Sequence, residues 1–248
     1  CGGRRERPPH LREDRVNYEF NWTLVLTGEY GQWIIDGLIV TLKISAVSIV
    51  FAMLLGTLIA VMRMTKFKPF EWFSLAFTEF FRNTPLLVQI FFWYFGSDAV
   101  LPKAVNQWLY QHDFEFAAGV IALTVYTSAF IAEEIRAGIF SIPKNQLEAS
   151  RATGLSFIQA YRYVILPQAI RIVVPPLISQ FLNLIKNSSL CMTIGVMELT
   201  YMARQIESYS FHGFESFTVA TLIYLVISLV VSLAINVYNK YFLRQIVY

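Results

Sequence analysis

Between Ser216 and Asn239 the chain runs for 24 residues without a charged side chain. A helix needs roughly 20 mostly apolar residues to cross the hydrocarbon core of a bilayer, whereas a soluble helix of that length needs a polar face. Gly37–Met62 repeats the pattern with Lys43 as its only charge. Phe116–Ala132 is a third apolar run, expected to continue as helix through Glu133, Glu134 and Arg136. Thr84–Leu101 is shorter and aromatic (IFFWYF), with Trp and Tyr placed for an interface. Ile172–Met197 is the fifth, carrying Pro175–Pro176, Lys186 and Asn187; its last part, Ser188–Met197, is expected to bend back or lie along the surface. The fold class is therefore all-α, a polytopic membrane protein with about five transmembrane helices.

Composition supports this. The chain is 56% hydrophobic and only 15% charged, against about 25% charged in soluble domains, so lipid must replace water over much of its surface. A net charge of +3 gives no case for nucleic acid. Cys1 and Cys191 make neither a disulfide framework nor a metal cluster. Residues 1–32 are expected to be an N-terminal tail, disordered at its start over the Arg-, Pro- and Gly-rich residues 1–15. Residues 33–248 form the membrane domain.

Lys and Arg mark the cytoplasmic side of short loops. Arg63, Lys66, Lys68, Arg82, Arg136, Lys144, Arg151, Arg162, Arg171, Lys240 and Arg244 fall on one side, and Lys103 and Arg204 on the other, eleven against two. The C-terminus is thus expected in the cytoplasm. Phe67–Phe81 clusters Phe70, Phe73, Phe77, Phe80 and Phe81 at helical spacing, an amphipathic helix at the cytoplasmic interface. Asn83-Thr84-Pro85 is read as the start of the next helix, with an Asn or Thr N-cap.

The connection over about 141–167 is the most specific stretch. Gln146–Thr153 reads as a short helix between Pro143 and Gly154. Ala149 and Ala152 share a face at i, i+3, a small-residue surface open to close approach, and Gly154 can take φ > 0 to turn the chain. A second short helix, Phe157–Ile165, follows, and Pro167 is expected to interrupt it. Two short helices in an elbow, too polar to insert, suit a docking knob. The chain has no Gly-x-x-x-x-Gly-Lys-[Ser/Thr] loop to cradle phosphates, so ATP-driven work would need a separate polypeptide.

Glu148-Ala149-x-x-x-x-Gly154, ten further residues and Ile165-Leu166-Pro167 resemble the EAA loop of ABC importer permeases, with Ser150 where a small Ala is usual. Phe81-Arg82-Asn83-Thr84-Pro85-Leu86-Leu87-Val88-Gln89, Glu134-Ile135-Arg136-Ala137-Gly138-Ile139 and Lys186-Asn187-Ser188-Ser189-Leu190 resemble the polar amino acid branch. The resemblance implies that Glu148, Ala149, Ala152, Gly154, Ile165, Leu166 and Pro167 couple to cytoplasmic ATPase subunits. It also implies a second permease chain, an external solute-binding protein and a polar amino acid substrate in the inner membrane of a bacterial cell. No cofactor is expected in this chain, ATP and Mg belonging to the ATPase. Thr41-Leu42-Lys43-Ile44-Ser45 and Lys186-Asn187-Ser188 are most similar to glutamate/aspartate permeases; glutamine or basic amino acids are the alternative substrates.

Charged groups inside a bilayer cost a few kcal/mol each. A proline-broken helix would let Lys186 and Asn187 line the substrate pathway; the alternative is pairing with an acid. Lys43 is expected to snorkel outward about two turns into its span. Glu133 or Glu134 with Arg136 or Arg82 is expected to tie two spans together as an ion pair. A channel or secondary transporter would need no docking elbow. An enzyme would need a catalytic constellation that His10, His112 and His212, all placed at the outer side, do not form.

Overall fold

The computed structural model describes residues 18–65 and 67–238. The expectations for residues 1–15 and the positions of Lys66, Lys240 and Arg244 lie outside these residues. The order is α1 Trp22–Leu26, α2 Gly28–Met64, α3 Lys68–Arg82, α4 Leu86–Val100, α5 Lys103–Tyr110 and α6 Phe114–Phe140. Then come α7 Lys144–Ala152, α8 Phe157–Ala160, a π turn Tyr161–Ile165, α9 Leu166–Asn187, a 3-10 segment Ser188–Ile194, α10 Leu199–Ser210 and α11 Gly213–Tyr238. Gly28–Met64, Phe114–Phe140, Phe157–Ile194 and Gly213–Ile235 are each long and apolar enough to cross a membrane, and Leu86–Val100 is a shorter apolar helix. Helix α1 and the start of α2 occupy part of the stretch read as a tail.

Helices α2 and α6 pack side by side and run in the same direction. A Cβ on Gly119 would stand 3.0 Å from Ile44, and one on Gly56 would stand 2.7 Å from Ile131 and 2.9 Å from the Ser128 carbonyl. Only hydrogen at Gly56 allows this approach, the usual device where no hydrophobic drive exists between helices in lipid. Helix α9 runs back along α6, placing Val173 and Leu177 against Ala52 and Ile131. Ile44, Ile90, Leu123, Cys191 and Val196 then join α2, α4, α6 and the segment after α9 in one buried core.

Several local readings are corrected. Pro175 and Pro176 lie inside α9 without ending it. The two prolines leave the Arg171 and Ile172 carbonyls without their amide donors, a loss that membrane helices tolerate. Pro167 does not stop the preceding helix either. It lacks the N–H that would bond the residue four before it, and the backbone widens into the π turn Tyr161–Ile165 just upstream, with the Leu166 N–H bonding the Tyr161 carbonyl.

Asn83 and Thr84 close α3 rather than open α4. Asn83 Nδ2 donates to the Glu79 carbonyl at 2.8 Å and Thr84 Oγ1 to the Phe80 carbonyl at 2.9 Å, while Pro85 occupies the N-cap of α4 with no side-chain bond. Ser188–Ile194 turns inward, burying Ser188, Cys191 and Ile194, rather than lying on the surface. Because α2 starts at Gly28, Lys43 is about four turns in, and it is exposed.

The two connections on the side opposite the elbow are structured. Helix α10 buries Leu199, Ala203 and Ile206 against Val25, Ile34 and Val219. Glu198, fully buried, caps it by accepting from the Thr200 and Tyr201 amides at 2.9 and 2.8 Å and from the Tyr224 hydroxyl at 2.8 Å. The Leu199 amide donates to Thr41 of α2 at 3.1 Å. Glu215, at the start of α11, accepts from the Tyr18 hydroxyl and from the Asn21 amide at 2.8 Å, with His212 Nδ1 at 3.1 Å.

Candidate functional site: the elbow and the pocket between α6 and α9

The elbow consists of α7, α8 and the π turn. Ile142, Ile165 and Ala169 are buried together, packed by Ile139, Leu147, Tyr161 and Val164, which fixes it to the ends of α6 and α9. Ser156 opens α8 with a capping box, its hydroxyl accepting from the Gln159 amide while Gln159 returns the bond. Gly154 has φ of +93°, as the turn requires, and a Cβ there would meet nothing within 4 Å.

Of the residues expected to couple, Glu148, Ala149, Ala152, Gly154, Leu166 and Pro167 are exposed. Ile165 is only 4% exposed and acts inside the elbow as a clamp. Ser150, where a smaller residue was expected, is buried and donates to the Leu147 carbonyl at 2.8 Å. Phe157 and Ile158, not singled out from sequence, stand 54% and 76% exposed beside these residues. Their signal was available: an apolar pair directly after a Ser cap, in a helix too short to insert.

The second site lies between α6 and α9. Tyr126, Thr127 and Phe130 of α6 and Gln180, Asn183 and Asn187 of α9 line a cavity of about 280 Å³. Thr127 is at the centre of α6, a helix of 27 residues that extends about 40 Å, so the cavity sits at mid-membrane depth. Two of its amides, Asn183 and Asn187, make no side-chain hydrogen bond among the described residues. Polar groups at this depth cannot be satisfied by lipid, so the cavity is equipped to receive a polar ligand or water.

Asn187 therefore lies where expected, but Lys186 does not line the cavity; it is exposed on a neighbouring face of α9. No ion pair joins it to Glu133 or Glu134 among the described residues. The expected inter-span pair is absent from them too. Arg136 turns back to Glu133 on its own helix at 2.8 Å, and Arg82 stands over the Phe130 ring, 5.4 Å from its centroid. Helices α6 and α9 are bridged instead by Gln180 Nε2 donating to Glu134 Oε1 at 3.4 Å.

Residues 48–245 match the model of the family described as binding-protein-dependent transport system inner membrane component. The chain belongs to this family. This inner membrane component is 45% identical over 205 residues to the probable glutamine ABC transporter permease protein GlnM of Bacillus subtilis, covering 83% of this chain and 91% of that protein. It is 33% identical over 236 residues to the glutamate/aspartate import permease protein GltJ of Escherichia coli, covering 91% and 96%. Its fold superposes on a crystal structure of an amino acid ABC transporter with histidines with a TM-score of 0.79 at 34% identity, covering 90% of this chain and 99% of that one.

Proposed function

We propose that this chain is the permease subunit of an ATP-driven importer of polar amino acids. The observation that carries the reading is the polar cavity at the middle of α6, walled by Thr127 and the amides of α9. In lipid such groups are costly unless they serve a pathway. Relatives named as glutamine and as glutamate/aspartate permeases support the substrate class.

ATP and Mg are held by separate cytoplasmic ATPase subunits that seat on the elbow. Exposed Phe157 and Ile158 beside Ala149 and Ala152 support this, since apolar side chains in a small polar elbow suit a groove of a partner. A second permease chain covers the exposed side of α9 marked by Ser179 and Lys186, spaced to recur on one side of the helix. An external solute-binding protein delivers the substrate on the face formed by α5 and α10, in keeping with the family's description. The elbow, and with it the C-terminal end of α11, faces the cytoplasm of a bacterial inner membrane.

The test is radiolabelled amino acid uptake into proteoliposomes holding the chain with its co-purified ATPase. Uptake should require ATP hydrolysis and stop with a non-hydrolysable analogue. Uptake indifferent to ATP would favour a secondary transporter instead.

A further inference from the structure

The walls of the cavity between α6 and α9 carry one phenol, one hydroxyl, one phenyl ring and three amides, and no charged side chain. An amide offers two donors and one acceptor. Gln180 commits a donor to Glu134, which leaves its carbonyl oxygen available to a ligand's N–H. Asn183 and Asn187 retain both kinds of group. Thr127 adds a hydroxyl able to donate or accept.

The surrounding charges are placed unevenly. The Glu134 carboxylate is bonded to a wall residue and adds negative potential at one end. Arg82 stands over Phe130, 5.4 Å from the ring centroid, and is not itself a lining residue. Lys186 is turned out of the cavity. A ligand with a side-chain carboxylate would bring a second anionic group to a mid-membrane site without a cation on its walls, where an unpaired ion is disfavoured. It would also approach Glu134, and like charges repel more in such a site than in water.

We propose that the cavity selects by side-chain charge. It accepts a zwitterionic amino acid with an uncharged polar side chain, an amide being the best match, and rejects acidic ones, with Gln180 and Glu134 as the specificity-determining pair. This rests on reading the cavity as the substrate pathway.

Calorimetric titration of the permease–ATPase complex in detergent, without binding protein, measures the permease's own preference. L-glutamine is expected to bind at least about tenfold more tightly than L-glutamate, a difference of about 1.4 kcal/mol. Glu134→Gln should narrow the gap, and Gln180→Lys should reverse it by supplying a cation. Equal affinity of the wild-type complex for both ligands, or an unchanged gap in Glu134→Gln, overturns the charge selection while leaving the cavity a binding site. Binding of neither ligand overturns the cavity reading itself and this inference with it.

Discussion

Gln180 of α9 donates to Glu134 of α6 at 3.4 Å, the one side-chain hydrogen bond between these two helices among the described residues. It sits where the polar cavity ends and the charged end of α6 begins, close to the Glu133–Arg136 pair at 2.8 Å. A movement of the elbow, which is continuous with both helices, would therefore reach the cavity through this contact. Coupling between the two sites has a short physical route: α6 and α9 are each one continuous helix from elbow to cavity.

The turn at Gly154 sets the angle between α7 and α8 in the elbow. Val there would have space, since nothing lies within 4 Å of the added Cβ, but φ of +93° is strained for a β-branched residue. The cost is about 1–2 kcal/mol, enough to misplace α8 without unfolding the spans. Gly154→Val should insert normally, and its substrate-stimulated ATP hydrolysis in the assembled complex should collapse. Normal stimulation would remove the elbow from coupling.

Ile158 is the most exposed large apolar side chain of the elbow, at 76%. If it anchors in the ATPase groove, Ile158→Asp buries an unpaired charge there. ATPase affinity should drop by about 2 kcal/mol, roughly thirtyfold, read as lost co-purification in mild detergent with the permease's own thermal stability unchanged.

Much of this architecture was legible in the chain, and what was misread has physical reasons. The long spans declare themselves because lipid demands uninterrupted apolar runs. Pro175–Pro176 was misread because in water a helix-interior proline costs about 3 kcal/mol, a rule that membrane helices relax. Asn83 and Thr84 suit either a start or a stop, and only the fold shows that their donors go back to Glu79 and Phe80. Helices α5 and α10 are short, and their stability comes from docking, as with Leu199 and Ile206. Lys186 drew notice as a charge, yet it is turned about 100° from Asn187 around the helix. The better signal was the amide recurrence Gln180, Asn183, Asn187 on one face.

Gly56 offers a test of the packing. Leu at this position would meet Ile131 and the Ser128 carbonyl at under 3 Å, forcing α2 and α6 apart. Gly56→Leu should lower the melting temperature of the detergent-solubilised protein by several degrees, a loss of about 1–3 kcal/mol, whereas Gly56→Ala should cost less. A melting temperature unchanged in both variants would contradict the close approach.

Glu198 predicts a pH dependence. Burial pushes its carboxyl above the usual 4.5 despite the bonds from Thr200, Tyr201 and Tyr224. A raised value in the folded state means that the folded protein holds the proton more tightly. The resulting stability is present below 4.5 and is lost as pH rises through the raised value. Relative to Glu198→Gln, the wild type should therefore lose stability as pH rises above 4.5, measured by thermal unfolding. A pH-independent difference would contradict this.

Orientation can be read directly. Gln107 on α5 and Ser156 on the elbow are both exposed and lie at opposite ends of α6. In intact cells Gln107→Cys should react with an impermeant maleimide, and Ser156→Cys should react only after lysis. The reverse pattern would put the elbow out of reach of a cytoplasmic ATPase.

Passage of substrate through the amide-walled cavity under the drive of ATP makes uptake depend on Asn183 and Asn187. Its most direct test is ATP-dependent uptake of L-glutamine by proteoliposomes carrying wild type, Asn183→Leu or Asn187→Leu with the ATPase and binding protein. Each Leu variant should retain its partners on co-purification and lose at least about tenfold in uptake, one lost hydrogen-bonding group being worth 1–3 kcal/mol. Wild-type uptake in both variants would place the pathway elsewhere and contradict the account.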